Sequence, residues 1–309
     1  MRRLVILCLA PLAACGSDSK PKPDAAKDIG FNKPTASLHA NMPSSTSGAV
    51  PVDLGPADLT CLGTASADQP TSTAVTLATI VKDFQNHTPV PTATVKVFPT
   101  VDYMNVFDTQ TSDSNGNVTV HIPSGTKRFG FEMTTTDGSV MPTFLLFQYV
   151  DPSMATQTLD KIQTVSTSTA TLLPALIGET RMPGTGVLAG ALRDCAGHEI
   201  SNFIATVSST PGTATPITGS EAYYFQAGVD LPVHHCMAGM CNQNELDSSS
   251  GDGLFMVVQL PVAPTAYVQM WGYKTDADVA SGTLTEIAEL QVPVLADTVI
   301  TGSYEPLRQ

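Results

Sequence analysis

Apolar and polar residues alternate in short runs along most of the chain. Val95-Lys96-Val97 and Val118-Thr119-Val120-His121-Ile122 change character at nearly every step, a period of two that marks half-buried strands. Similar runs recur over residues 75–81, 93–98, 117–122, 128–134 and 144–150. Only Thr169 to Ile177, with Leu172, Leu173, Leu176 and Ile177, has the spacing of a short helix. The pattern predicts an all-β protein.

Two segments at the start break this rhythm. Met1 to Cys15 opens on Arg2 and Arg3, continues with nine mostly apolar residues from Leu4 to Leu12, and ends on Ala13-Ala14-Cys15. That is the layout of a secretory signal, far short of the roughly 20 residues of a membrane-spanning helix. Residues 16–56 are rich in Ser, Pro, Ala, Asp and Lys without apolar periodicity, the composition of a flexible, disordered tether. As a coil, some forty residues reach about 35 Å.

The strand-rich remainder repeats itself. Leu77-Ala78-Thr79-Ile80-Val81-Lys82-Asp83 is answered by Leu188-Ala189-Gly190-Ala191-Leu192-Arg193-Asp194, and His87 and His198 each follow the Asp by four residues. Ala93-Thr94-Val95 returns as Ala205-Thr206-Val207, and the turn at Asn115-Gly116 as Asp252-Gly253. The shared order argues for two copies of one fold rather than one large sheet, divided as 57–178 and 179–309. The second copy carries an insertion over about 220–250.

Each copy resembles the carboxypeptidase regulatory-like module. The first carries Val81-Lys82-Asp83, Asp113-Ser114-Asn115-Gly116 and Ile122-Pro123-Ser124-Gly125. The second carries Leu192-Arg193-Asp194-Cys195-Ala196-Gly197, and departs at Val262-Ala263 after Pro261. The resemblance implies two tandem Greek-key β-sandwiches of prealbumin (transthyretin-like) type, and it specifies fold more than function. Separately, Leu12-Ala13-Ala14-Cys15 resembles the lipobox of bacterial lipoproteins. It implies acylation of Cys15 with palmitate-like chains, a membrane-anchored mature protein and a cell-envelope location. Gly16 after the Cys favours the outer membrane of a Gram-negative cell.

Charge and cysteine content sharpen this picture. The net charge is −13, and loss of Arg2 and Arg3 with a cleaved leader makes it more negative, so nucleic acid is not an expected partner. Cys8 leaves with the leader and Cys15 takes lipid. Cys61, Cys195, Cys236 and Cys241 remain, an even count that suggests two disulfides outside the cytosol. Three pairings are open. Cys236–Cys241 with Cys61–Cys195 is favoured, worth about 2 and nearly 5 kcal/mol respectively in the chain-entropy picture.

Candidate chemistry is sparse. His234-His235-Cys236-Met237-Ala238-Gly239-Met240-Cys241 concentrates soft ligands, which suit zinc or copper, but an oxidising compartment favours the disulfide, and no metal or other cofactor is assigned. Asp113 with Asn115, or Asp247 with Asp252, lacks the donor count of a calcium loop and reads as turn chemistry. Tyr223, Tyr224, Trp271 and Tyr273 are candidates for a glycan-stacking face, against their ordinary use in a core. No H-E-x-x-H, G-x-S-x-G or Walker loop occurs. The expected function is therefore a non-enzymatic, lipid-anchored structural or interaction (display) module, with the membrane and an envelope protein or glycan as partners. The alternatives are an extracellular glycan- or peptide-binding protein and a metal-handling protein acting through the His-Cys-Met loop.

Overall fold

The computed structural model describes residues 34–43, 49–236, 241–242 and 245–308. Cys15 and the leader lie outside them. The chain runs through β1 (His39–Met42), β2 (Val52–Pro56), β3 (Val75–Asp83), β4 (Thr94–Pro99), β5 (Asp108–Thr111) and β6 (Asn117–Ile122). It continues with β7 (Phe129–Thr134), β8 (Val140–Met141), β9 (Thr143–Gln148), β10 (Thr156–Thr158), β11 (Ile162–Ser166) and helix α1 (Thr167–Leu176). The second half holds β12 (Gly186–Leu192), β13 (Glu199–Ser201), β14 (Ile204–Ser208), β15 (Glu221–Gln226), β16 (Leu231–Pro232) and β17 (Leu254–Leu260). It ends with β18 (Ala263–Gly272), α2 (Asp276–Ser281), β19 (Thr285–Val294) and β20 (Val299–Tyr304).

The two halves share one pairing pattern. In the first, β3 pairs antiparallel with β6 and parallel with β11, while β7 lies antiparallel between β4 and β9. In the second, β12 pairs antiparallel with β17 and parallel with β20, while β18 lies antiparallel between β14 and β19. The repeat in sequence is a repeat in topology, and the fold is all-β. Burial follows the alternation: β3 and β6 bury every second residue. Inward-facing residues of these two strands, such as Leu77 and Val120, meet Val95, Phe131 and Met133 from β4 and β7 in a single core.

The halves are not separate. Thr143–Leu146 of β9 lies parallel to Val299–Gly302 of β20, so an edge of each half joins in one nine-stranded sheet, β16-β15-β17-β12-β20-β9-β7-β4-β5. The expectation of two copies without a large shared sheet is corrected here. A β-sandwich leaves open edges with unpaired N–H and C=O groups, and joining two of them satisfies both. Helix α1 packs at the seam, where its Ala170 meets Met141 and Val165 of the first half and Val187 and Val299 of the second, while its Leu173 and the adjoining Ile177 pack on Tyr223, Phe225, Met256 and Val258. With helix on one side and core on the other, β17 buries most of its residues without alternation.

Part of the segment expected to be a disordered tether, 16–56, is folded. β1 pairs with β2 and with β13 of the second half, and Leu38 is fully buried against Gly272, where no Cβ would fit. Ser37 donates to Asp276 at 2.7 Å, and Asn202 donates to the Ser37 carbonyl at 2.8 Å. Residues 34–43 and 49–56 are thus part of the folded body. They dock on the second half, so the chain crosses that half before it builds the first.

Candidate functional site

Buried or turn carboxylates anchor both halves. Asp83 is buried and accepts from the backbone N–H of Gln85 at 3.0 Å, Asn86 at 3.1 Å and Ser166 at 3.0 Å. Asp194, at the matching place, accepts from the backbone of Ala196 and His198 at 2.9 Å and of Asp58 at 3.1 Å. Asp113 accepts from the backbone of Asn115 and Asn117, both at 2.8 Å. These are Asx-type turns that hold φ > 0 residues in place, and Asp113 is engaged as a turn residue.

The disulfides form as Cys61–Cys195 and Cys236–Cys241. The first joins residues 134 apart in sequence. It pins the segment before β3 to the first turn of the second half, helped by the Cys195 N–H on the Asp58 carbonyl at 2.9 Å and the Gly63 N–H on the Leu307 carbonyl at 2.8 Å. Residues 57–63, expected to open the first sandwich, are therefore fastened to the second.

The four candidate stacking aromatics do not make an exposed platform. Tyr223, Tyr224 and Tyr273 are all buried. The Tyr224 hydroxyl accepts from the Ala205 N–H at 3.0 Å, and Tyr223 donates to Glu221 at 2.8 Å. Trp271, half-buried, directs its indole N–H toward Gln269 at 3.4 Å. Their large apolar area serves packing, which corrects the glycan-face reading.

What the fold does present is a cleft of about 620 Å³ at the seam, lined by Phe84, Leu145, Leu173, Val187, Phe225 and Met256, with Lys161, Arg193 and Asp252 among its polar groups. That volume suits a small ligand or a few side chains. Burial pushes the Asp252 carboxyl up to about 6 against the lowering effect of the Leu254 N–H and the Ser250 hydroxyl, with Asp230 adding to the rise. One of its oxygens, Oδ2, is buried without a hydrogen-bond partner.

A second polar cluster sits beside the Cys236–Cys241 loop. The His235 ring stacks on Tyr223, centroids 4.7 Å apart. Its Nε2 lies 3.3 Å from Glu221 and its Nδ1 3.5 Å from Asp247. Burial works against the imidazolium, yet the two carboxylates outweigh it and His235 titrates above the ordinary histidine value. The hydrogen bond from His235 holds Glu221 below the usual carboxylate range despite its own burial. Asp247 also accepts the Cys236 N–H at 3.0 Å. Cys236, Cys241 and Asp247 bring one ligand-type atom each within 4.8 Å of one another; with both sulfurs in a disulfide, they offer no thiolate.

No family model matches the chain, and no curated protein matches it. Among solved structures, the Bacillus anthracis TIE protein is similar over 76% of this chain at 11% identity and a TM-score of 0.25, and the matched chain spans 34% of that protein. The shaft pilin SpaA of Lactobacillus rhamnosus GG is similar over 77% of this chain and 98% of its own, at 9% identity and a TM-score of 0.22. A streptococcal ancillary pilin covers 76% of this chain and 63% of its own at 14% identity and a TM-score of 0.21. The fold assignment rests on the strand pairings above.

Proposed function

We propose that the chain is a lipid-anchored envelope protein whose folded body serves as a rigid structural or display module rather than an enzyme. The observation that carries this is the fusion of the halves: one sheet runs through both, and Cys61–Cys195 ties the start of the body to the second half. Such a body transmits force and presents surface loops at fixed spacing. The leader ending at Cys15 supplies the anchor, with acyl chains each contributing about 0.8 kcal/mol per buried CH₂. Residues 34–43 and 49–56, inside the segment expected to act as tether, belong to the folded body; on this reading the bilayer is the first partner and an envelope protein the second. Each half is a relative of the carboxypeptidase regulatory-like module, and the outer membrane is the expected location.

The test is palmitate labelling of cells producing the full chain. The native chain takes label and fractionates with membranes, and Cys15→Ser does neither; equal labelling of both would refute the anchor.

A second reading, a binding protein, is favoured by the apolar cleft at the seam. On it, an extracellular peptide offering apolar side chains is the ligand. Leu173→Asp, which places a charge in the cleft wall, would abolish binding while leaving palmitate labelling intact.

A further inference from the structure

The His-Cys loop holds more polar chemistry than a closed disulfide uses. Asp247 stands beside both sulfurs, and three donor atoms, from Cys236, Cys241 and Asp247, already lie within 4.8 Å. The Asp247 oxygen that accepts the Cys236 N–H, Oδ1, also lies 3.5 Å from His235 Nδ1, and that buried nitrogen makes no hydrogen bond. Nitrogen and oxygen ligands at about 2.0–2.1 Å from a tetrahedral zinc ion stand roughly 3.3 Å apart. The His235–Asp247 spacing is nearly that of two ligands sharing one ion, while the His235 ring stands outside the 4.8 Å trio and turns toward the sulfurs once the bridge opens.

We propose that reduction of Cys236–Cys241 converts this corner into a zinc site, with Cys236, Cys241, Asp247 and His235 as its four donors. The disulfide accepts two electrons from a dithiol reductant, which leaves as its own disulfide. The two cysteines are released as thiols, and metal binding displaces their protons. Two thiolates, one imidazole and one carboxylate suit a borderline-soft ion and select against calcium and magnesium. Position explains why this bridge is the one that opens. Cys241 is exposed, and its loop spans only 5 residues against 134 for Cys61–Cys195, so closing it contributes the smaller chain-entropy stabilisation. The two states exclude each other: the oxidised loop is a staple, and the reduced loop is a metal ligand set. The Cys236 N–H bond to Asp247 keeps the carboxylate at the loop in either case.

Cobalt(II) titration of the mature chain, followed by zinc displacement, tests this. The reduced protein develops the visible bands of tetrahedral, thiolate-ligated cobalt at one equivalent, and the oxidised protein does not. The bands vanish in Cys236→Ser/Cys241→Ser and survive in Cys61→Ser/Cys195→Ser. Asp247→Asn and His235→Gln each weaken binding at least about tenfold, with circular dichroism confirming that each variant is folded. Absence of bands in the reduced native chain, or their persistence in Cys236→Ser/Cys241→Ser, would overturn the site. Unchanged affinity in both Asp247→Asn and His235→Gln would overturn the four-donor assignment.

Discussion

Asp83 and Asp194 do the same work in the two halves: each is buried at the end of its first long strand and gathers three backbone N–H groups. The third differs in a telling way. Asp83 reaches Ser166, the residue that caps α1, whereas Asp194 reaches Asp58 in the segment docked from before the first half. A repeated turn is thus used once to fasten the seam helix and once to fasten the N-terminal arm.

Removing either carboxylate leaves buried N–H groups unmet. Asp83→Ala and Asp194→Ala are each expected to cost about 2–3 kcal/mol, read as a lower urea midpoint. Asp194→Ala also raises proteolytic release of the arm, and Asp83→Ala does not.

Gly116 and Gly253 form the second matched pair. Both have positive φ, +79° and +65°, and both lie against the carbonyl of the residue before a Lys/Arg-Asp pair, Val81 and Leu192. A Cβ on Gly116 would stand 2.7 Å from that carbonyl oxygen, and one on Gly253 3.2 Å. Gly116→Ala is therefore the more damaging, by a margin of roughly 1 kcal/mol, within a loss of about 1–3 kcal/mol. Thermal melts of the two variants side by side check the order.

Much of this is legible in the sequence. Lys82-Asp83 and Arg193-Asp194 marked the repeat, and period-two burial in β3 and β6 matched the alternation. The union of β9 with β20 left no trace, because a strand with its own edge free and one paired on both sides carry the same apolar pattern. β1 and β2 hid in linker composition: Val52 and Leu54 of β2 are exposed, and β1 buries only Ala40 and Asn41, too few to mark a strand pattern. Helix α2 has only six residues and a capping box between Thr275 and Asp278, with Asp standing where Glu or Gln is the usual signal. The tyrosines misled for the opposite reason, since aromatic residues look alike whether they face ligand or core.

Acidity has a defined sign here. Burial and the neighbouring Glu289 push Glu286 up to about 7. The folded state therefore favours its protonated form, and this contribution is lost as pH rises from the ordinary carboxylate value through about 7. His235, raised by Glu221 and Asp247 against its burial, stabilises fully below the ordinary histidine value and loses that as pH rises through its folded value. Both push the same way, so the melting temperature should fall between about pH 5 and about pH 8. Glu286→Gln should flatten the slope, and Glu286→Gln with His235→Gln should flatten it further.

The arm and its bridge also make a separable prediction. Cys61→Ser/Cys195→Ser should lower stability by about 2–5 kcal/mol and expose residues 34–43 and 49–63 to proteolysis, whereas Cys236→Ser/Cys241→Ser should cost less and leave those segments protected. Peptide mapping by mass spectrometry after brief digestion distinguishes the two.

Native-state hydrogen exchange over 143–148 and 299–304 bears most directly on the fusion of the halves. If β9 and β20 are interior strands of one sheet, their amides exchange only in the opening that also releases β3 and β12. Fast exchange at those two strands, or two independent openings for the two halves, would contradict a shared sheet.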